Sequence, residues 1–305
     1  MARARRSLKV VVGLTAVLVS VGSASGQELE PRAYSPSPSG TTFVVVSVTR
    51  SGGGVFTDAS APLTDVDAEV GILGLAAGHT FPLFGKSAMV LGVVPVTWGQ
   101  ATGQIGEDRR EASRRGLADP RVRLSVILSG SPPVSAEAFA VRKRGPIVGA
   151  SLTVVMPIGQ YDSTKLVNLG SNRWSFKPEI GISVPAGRWT FDGYAGVWWF
   201  TDNDSYFPGA SHRHQDAVIG IQGHVSYTLG RRAWIAANAT WYAGGEMRVN
   251  GMKAADPYRN SRLGATWAMP LGTRQSLKVA YSAGAATRVG ANFKTISGAW
   301  QIVIF

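Results

Sequence analysis

The sequence repeatedly alternates apolar with polar residues over short segments, and this alternation constrains the fold more than any other feature. Between residues 217 and 229, Ile219, Ile221 and Val225 take odd positions, whereas Gln222 and His224 take even positions. Side chains that repeat at every second residue lie on one face of a β-strand. The pattern therefore predicts strands with one apolar face and one hydrated face. The same alternation occurs at residues 121–128, 234–243 and 276–283.

About twelve such segments can be delimited, each close to the ~10 residues that a tilted membrane-spanning strand requires. They cover residues 41–49, 69–81, 87–98, 119–130, 145–157, 174–184, 188–200, 216–228, 233–243, 258–269, 275–284 and 292–305. Short turns at 82–86, 185–187, 229–232 and 270–274 alternate with long loops near 50–68, 99–118, 158–173, 201–215 and 244–257. This arrangement predicts an all-β fold: a closed, up-and-down, transmembrane antiparallel β-barrel of about 12 strands.

A soluble β-sandwich is the alternative fold, because it also consists of short strands at regular spacing. The tryptophans argue for the barrel, since the two membrane interfaces of a barrel are enriched in aromatic residues. Eight tryptophans lie in or beside predicted strands: Trp98, Trp174, Trp189, Trp198, Trp199, Trp241, Trp267 and Trp300.

Two details depart from a regular barrel. The connection at 131–144 is long where a short turn is expected, and residues 136–140 within it favour a short helix. Pro95 and Pro178 fall inside predicted strands, where each removes a donor from the hydrogen-bond ladder. We therefore expect bulges at these prolines, or strand boundaries that differ by a few residues.

The N-terminus has the three parts of a secretory signal peptide, which we place at residues 1–26. Arg3, Arg5, Arg6 and Lys9 precede an apolar stretch at 10–21, and small residues follow at 22–26. Residues 27–40 are rich in Pro and Ser and predict an extended periplasmic segment, which we expect to enter or cap the periplasmic mouth of a barrel formed by residues 41–305.

Composition excludes several functions. Signal removal takes four basic residues and no acidic one, so the net charge falls from +12 to +8. No nucleic-acid-binding motif accompanies this charge, so we expect anionic solutes, outer-membrane lipid or lipopolysaccharide as partners rather than nucleic acid. The chain contains no cysteine, which excludes disulfides, thiolate metal sites and a lipid-anchored cysteine.

Several long stretches resemble one known family. They are residues 116–132, 148–181, 200–204, 222–251 and 260–293. They are similar to the outer-membrane transporter family named for the meta-cleavage pathway of phenol degradation. This resemblance implies a β-barrel channel in the outer membrane of a Gram-negative bacterium, associated with uptake of aromatic or other hydrophobic compounds. It supplies no catalytic residues.

The hydrated faces of the predicted strands supply candidate lumen-lining residues. Alternation places eleven of them inward: Arg121, Arg123, Lys177, Glu179, Asp192, Gln222, His224, Asn238, Thr240, Arg262 and Lys278. Five are basic and two are acidic, so an open lumen would favour anions. The alternative is a barrel with a packed interior, in which these charges pair with one another and no solute passes. Twelve strands enclose less space than the strands of an open porin.

Other chemistry is weakly supported. His212 and His214 lie beside Asp202 and Asp204 in a predicted external loop, and these groups could bind a divalent metal. We favour the interpretation that these residues are polar side chains of a solvated loop, so we expect no metal and no cofactor. A hydrolase needs a nucleophile beside a base, and no Ser–His motif stands out. We therefore predict a non-enzymatic, passive channel for small aromatic or anionic compounds, with a hydrolase or a loop-mediated adhesive barrel as alternatives.

The predicted final strand ends at Phe305. A terminal aromatic residue on an amphipathic strand is a recognition signal for the barrel-assembly machinery, which we expect as a partner during biogenesis. Ile296, Trp300 and Ile304 share one face of this strand, but Phe305 falls on the parity of Gln301. The alternation therefore predicts that the face of this strand is a better signal than its terminal residue, unless a bulge near the end restores the register.

Overall fold

The computed structural model describes residues 30–56, 63–105, 108–165, 167–207 and 209–304. The predicted signal peptide at 1–26 and Phe305 lie outside these ranges. The described residues form eighteen strands, a short α-helix, α1 (Ala136–Val141), and one turn of 3₁₀-helix (Gly230–Arg232). The strands are β1 (Thr42–Phe56), β2 (Leu63–Leu83), β3 (Lys86–Ile105), β4 (Asp108–Leu117), β5 (Arg121–Ser129), β6 (Ile147–Val155), β7 (Ser175–Ala186), β8 (Trp189–Phe200), β9 (Asn203–Tyr206), β10 (Ser211–Gln215), β11 (Val218–Thr228), β12 (Trp234–Gly244), β13 (Met247–Val249), β14 (Met252–Ala255), β15 (Tyr258–Pro270), β16 (Gln275–Ala286), β17 (Gly290–Ala291) and β18 (Lys294–Val303).

Twelve antiparallel strands form a closed barrel, as predicted. Its order is β1-β18-β16-β15-β12-β11-β8-β7-β6-β5-β3-β2, and β2 pairs again with β1. Phe43 of β1 lies opposite Val303 on one side and Gly78 on the other, so neither edge of β1 is free at this level. Closure gives each barrel strand a hydrogen-bonding neighbour on both sides. Lipid cannot supply such partners to the backbone. Within the described residues, no helix is long and apolar enough to cross a membrane.

The outer surface carries the apolar side chains of the alternating strands, in two tryptophan belts and the band between them. Trp98, Trp174, Trp199 and Trp241 are exposed toward the end with long loops, and Trp189, Trp267 and Trp300 toward the end with short turns. Trp189 and Trp199 begin and nearly end β8. At ~3.3 Å per residue and a tilt of ~40°, they lie roughly 25 Å apart along the barrel axis, which is the height of the apolar band of outer-membrane barrels.

Both prolines lie inside strands, but without the expected bulges. β3 pairs with β5 as far as Val93 and with β4 from Val96, so Pro95 lies where β3 changes partner. Pro178 pairs with Leu152 of β6, and the ladder from β7 to β8 has a gap at this position. At each proline, therefore, one neighbouring strand forms no hydrogen bond that would need the missing backbone N–H.

The long-loop end is more ordered than the sequence predicts. Regions expected to be loops extend β1, β2 and β3, add β4 beside β3, and form a second sheet in the order β14-β13-β10-β9. Those loop predictions were wrong, because strands beyond the membrane need no apolar face and so leave no alternation to detect. The helix expected near 136–140 is confirmed as α1, capped by the side chain of Ser135, which accepts a hydrogen bond from the Ala138 amide.

Candidate functional site

The barrel interior holds most of the eleven candidate residues. Arg121 and Arg123 are half-buried, and Lys278 is exposed to water at the short-turn end. The other eight side chains are buried: Lys177, Glu179, Asp192, Gln222, His224, Asn238, Thr240 and Arg262.

Part of the N-terminal segment lies inside the barrel, entering from the short-turn end. The backbone amide of Arg32 donates to Asp192 Oδ2 at 3.2 Å. Its guanidinium donates to the hydroxyls of Ser226 and Thr228, both at 2.9 Å. These contacts hold a turn at residues 31–34 against the inner faces of β8 and β11, where the sequence offered only the expectation that the segment would enter or cap the mouth.

Tyr34 anchors this turn in a gap between two glycines. Its side chain is 1% exposed, and its ring lies against Gly149 and Gly181, which are directly paired across β6 and β7. A methyl group at either glycine would overlap the ring. The edge of Tyr194 completes the site, with ring centroids 5.3 Å apart and an interplanar angle of 70°. The two glycines therefore shape the wall to fit one aromatic side chain.

A buried carboxylate, Glu179, connects the segment to the wall. Its Oε1 accepts from the Tyr34 hydroxyl at 3.1 Å and from Arg123 at 3.0 Å. Its Oε2 contacts Lys177 Nζ at 2.7 Å and accepts from Gln222 Nε2 at 3.4 Å. Two cations on one carboxylate leave one positive charge in excess, and Glu30 supplies the matching negative charge through Arg123 at 2.9 Å.

Cation–aromatic pairs occur along the interior from one end of the barrel to the other. Each places a guanidinium or ammonium group over an aromatic ring, an attractive arrangement that strengthens when it is shielded from water. From the short-turn end to the long-loop end, they are Arg32 over Trp234 at 4.7 Å, Arg123 over Tyr34 at 5.5 Å, Lys177 over Trp198 at 5.5 Å, Arg173 over Phe200 at 4.1 Å and Arg213 over Tyr206 at 5.2 Å.

One side of the interior remains half-exposed to water. The inner faces of β1, β16 and β18 carry small side chains there, including Ser47, Ala280, Ser297 and Ala299. Lys278 extends from the same wall and pairs in register with Ala299. The N-terminal segment contacts the opposite wall, so the space inside the barrel is off-centre and follows the small residues.

One part of the long-loop end of the interior is apolar. Val55, Ala68, Ala101, Val289 and Phe293 form a buried cluster there. A cavity of about 30 Å³ lies beside it, lined mainly by β2, β3 and residues 167–169. This volume is close to that of one water molecule, so the cavity itself does not accommodate an aromatic solute.

His224 is buried in the barrel interior, and its two ring nitrogens differ in their contacts. His224 Nδ1 contacts Asn238 Oδ1 at 2.9 Å, but its Nε2 has no hydrogen-bond partner. The Ser226 hydroxyl accepts from Arg32 and donates weakly to the Thr190 carbonyl at 3.5 Å instead. Among the described residues, no group of three or more His, Asp or Glu has the arrangement of a metal site.

His212 and His214 contact carboxylates on the exposed outer sheet. Nδ1 of His212 lies 2.7 Å from Asp204, and Nδ1 of His214 lies 2.7 Å from Asp202. The hydrogen bond to Asp204 raises the pKa of His212 above its ordinary value, because it favours the protonated ring. The two histidines therefore belong to a network of polar contacts that also includes Asp216.

Two inward arginines were missed from the sequence. Arg173 continues the inward parity of Lys177 and Glu179 by two further steps, so extending the alternation upstream would have found it. Arg213 alternates with His212 and His214, but this stretch was assigned to a loop. Both arginines are buried at the long-loop end.

Comparison with known proteins places this barrel among relatives. A family model described as "Putative MetA-pathway of phenol degradation" matches residues 35–301. The fold is similar to that of an outer membrane channel from Pseudomonas putida F1, with 19% identity, a TM-score of 0.74, and coverage of 91% of this chain and 100% of that one. It is also similar to the transport unit of the autotransporter AIDA-I from Escherichia coli, with 10% identity, a TM-score of 0.54, and coverage of 96% and 99%. At such identities the likeness shows a shared fold. No curated protein sequence matches the chain.

Proposed function

This chain belongs to the phenol-degradation family whose model it matches, and from its barrel we propose that it is a passive outer-membrane channel for small aromatic or anionic compounds. The family name suggests aromatic cargo, and the similar Pseudomonas protein is described as an outer membrane channel. We also propose export by the N-terminal signal, assembly by the barrel machinery, and residence among outer-membrane lipids and lipopolysaccharide.

The observation that carries this proposal is the row of cation–aromatic pairs along the interior. An anionic aromatic solute meets two kinds of partner in each pair, because the cation attracts its charge and the aromatic side chain packs against its ring. The buried polar candidates then line the interior and hold the N-terminal segment rather than form a catalytic group. Nothing in this arrangement supplies energy, so movement follows the concentration gradient.

We propose that solutes pass from the cation–aromatic pairs at the long-loop end to the half-exposed wall of small residues on β1, β16 and β18. Lys278 is the exposed cation on that wall and would favour anions at the short-turn end. The opposite wall is covered by the N-terminal segment. A narrow, off-centre path of this kind predicts low conductance rather than the behaviour of a wide aqueous porin.

Single-channel recording in planar bilayers tests the proposal. We expect discrete steps, a reversal potential that favours anions, and partial block by benzoate. The substitution Ala299→Phe should reduce conductance to about half or less, because it narrows the path. Ala237→Phe is the matched control, since Ala237 lies on the lipid-facing side of β12. Absence of steps from folded protein, or equal effects of the two substitutions, would contradict the proposal.

A further inference from the structure

Two buried arginines lie together at the long-loop end of the interior. Arg173 precedes β7, and Arg213 lies on β10 of the outer sheet. Each side chain is 2% exposed. Both guanidinium groups contact the same atom, Gln215 Oε1, which lies 2.6 Å from Arg173 Nη2 and 3.4 Å from Arg213 Nη2. The two Nη2 atoms are therefore no more than about 6 Å apart, and two like charges are held at this distance away from water.

The acceptor between them carries no charge. Throughout the part of the chain that the structure describes, no ion pair includes Arg173 or Arg213, and the glutamine amide takes the place where a carboxylate would be expected. Arg173 Nε and Nη1 and Arg213 Nη1 are buried without a hydrogen-bond partner. Buried charges are ordinarily paired, because an unpaired one loses its hydration without compensation.

Electrostatics at Arg173 point the same way. Burial lowers the pKa of Arg173 well below its ordinary value, and the neighbouring charge of Arg213 lowers it further. A guanidinium does not give up its proton in a protein. The unfavourable charge is instead relieved by an acceptor with negative charge. The charge of Asp202 acts on Arg173 in this sense, but it is the weakest of these influences on the pKa.

The surroundings favour a planar anion. Arg173 lies over Phe200, and Arg213 over Tyr206, so the face of each guanidinium is covered and its N–H edge is the part left for a ligand. Arg213 Nε donates only to the sulfur of Met247, at 2.8 Å, and sulfur is a weak acceptor. Carboxylates bind guanidinium edges through paired N–H···O bonds.

We propose that Arg173 and Arg213 form a binding site for a small carboxylate, which displaces the amide of Gln215 and bridges the two guanidinium groups. One carboxylate oxygen takes the place of Gln215 Oε1, and the second accepts from the unpartnered nitrogens. The inference rests on the proposed channel function, to which it adds a substrate class.

The position of the two arginines supports a role as the first binding site that a solute reaches inside the barrel. Phe200 stacks on Trp198, with ring centroids 6.5 Å apart and planes within 9°, and Lys177 lies over Trp198. A carboxylate released by the two arginines would therefore next meet Lys177. The carboxylate moves from one cation to the next, while the aromatic or aliphatic part of the solute stays beside these rings.

Binding to folded protein in detergent micelles, followed by isothermal titration, tests the site. The titrants are sodium benzoate, sodium acetate, sodium phosphate and sodium chloride at equal ionic strength. We expect benzoate and acetate to bind, with at least ~10-fold lower affinity in Arg173→Gln and in Arg213→Gln, as loss of a charge-assisted hydrogen bond implies. Equal binding of all four salts, or a preference for chloride or phosphate, would overturn the assignment to carboxylates.

Gln215→Glu is the decisive variant. It keeps both arginines and the shape of the side chain, but it supplies the missing negative charge from within the protein. We expect it to abolish benzoate binding and to raise the Tm, whereas the arginine variants also lose binding without that gain. Wild-type affinity in Gln215→Glu would refute the site even if the arginine variants failed to fold. Because titration needs no conductance, binding without channel steps would leave the site standing and reject the channel.

Discussion

The ring of Tyr34 occupies the space that Gly149 leaves open in the barrel wall. The pair joins the N-terminal segment to β6 through shape, and the hydroxyl of the same tyrosine reaches Glu179. Loss of this fit would displace the N-terminal segment inside the barrel without changing the strands of the wall.

The substitution Gly149→Ala should therefore release the segment. A methyl group there overlaps the ring, and overpacking of this kind costs about 1–3 kcal/mol. We expect larger and noisier single-channel currents and faster proteolysis near residue 34. Gly223→Ala is the control, because nothing lies within 4 Å of a methyl group at that position. The same current from both variants would show that Tyr34 does not depend on Gly149.

The Glu179 cluster makes a second prediction. Glu179→Gln removes the carboxylate that half-buried Arg123 and buried Lys177 share, and removal of one partner from a buried ion pair typically costs about 3–5 kcal/mol. We expect a loss of that order in denaturant unfolding from lipid vesicles.

Glu69→Gln is the matched control for this loss. Its partner Arg50 is at 2.9 Å, but the two side chains are 62% and 73% exposed. Exposed pairs contribute about 0–1 kcal/mol. Equal losses from Glu179→Gln and Glu69→Gln would mean that the interior around Glu179 is hydrated enough to screen its charges.

The outer sheet should respond to pH through His212. Its pKa is raised in the folded protein by the hydrogen bond to Asp204, from an ordinary value of 6.5. The stabilising contribution is therefore complete below about pH 6.5 and is lost as the pH rises through the higher folded-state value. Limited proteolysis at β9 and β10 should be slower at pH 6 than at pH 8.5.

His212→Asn should remove most of this difference in proteolysis. His79→Asn, at the short-turn end, should leave it intact. If His212→Asn cleaves with the wild-type pH dependence, another group carries the effect, and Asp204 and Asp202 facing His212, with His214 and Asp216 beside them, are the groups to examine next.

The twelve barrel strands could be predicted because lipid imposes a period of two on them. Ile219 and Ile221 must face lipid, and Gln222 and His224 after them must not, so the pattern is fixed by the solvent on each side. Trp189 and Trp199 mark the two interfaces in the same way. These features depend on local sequence alone.

The contents of the barrel could not be predicted in the same way. Tyr34 and Gly149 meet across a long stretch of chain, and no periodicity links a Pro/Ser-rich segment to a glycine in a strand. Arg213 and Gln215 belong to a strand that is covered by protein on one side and water on the other, so neither face is marked by apolar residues. Specific side-chain packing decides these positions, and it requires the assembled wall.

The barrel closes during folding only when β1 has paired with both β2 and β18. The β1–β2 hairpin joins neighbouring segments, whereas Phe43 meets Val303 only after the intervening strands have been placed. Contacts of such wide sequence separation form late and slowly. Until β18 docks, β1 presents an open template of amides and carbonyls, and the same edge that seals the finished barrel is the edge at which an unfinished one would aggregate.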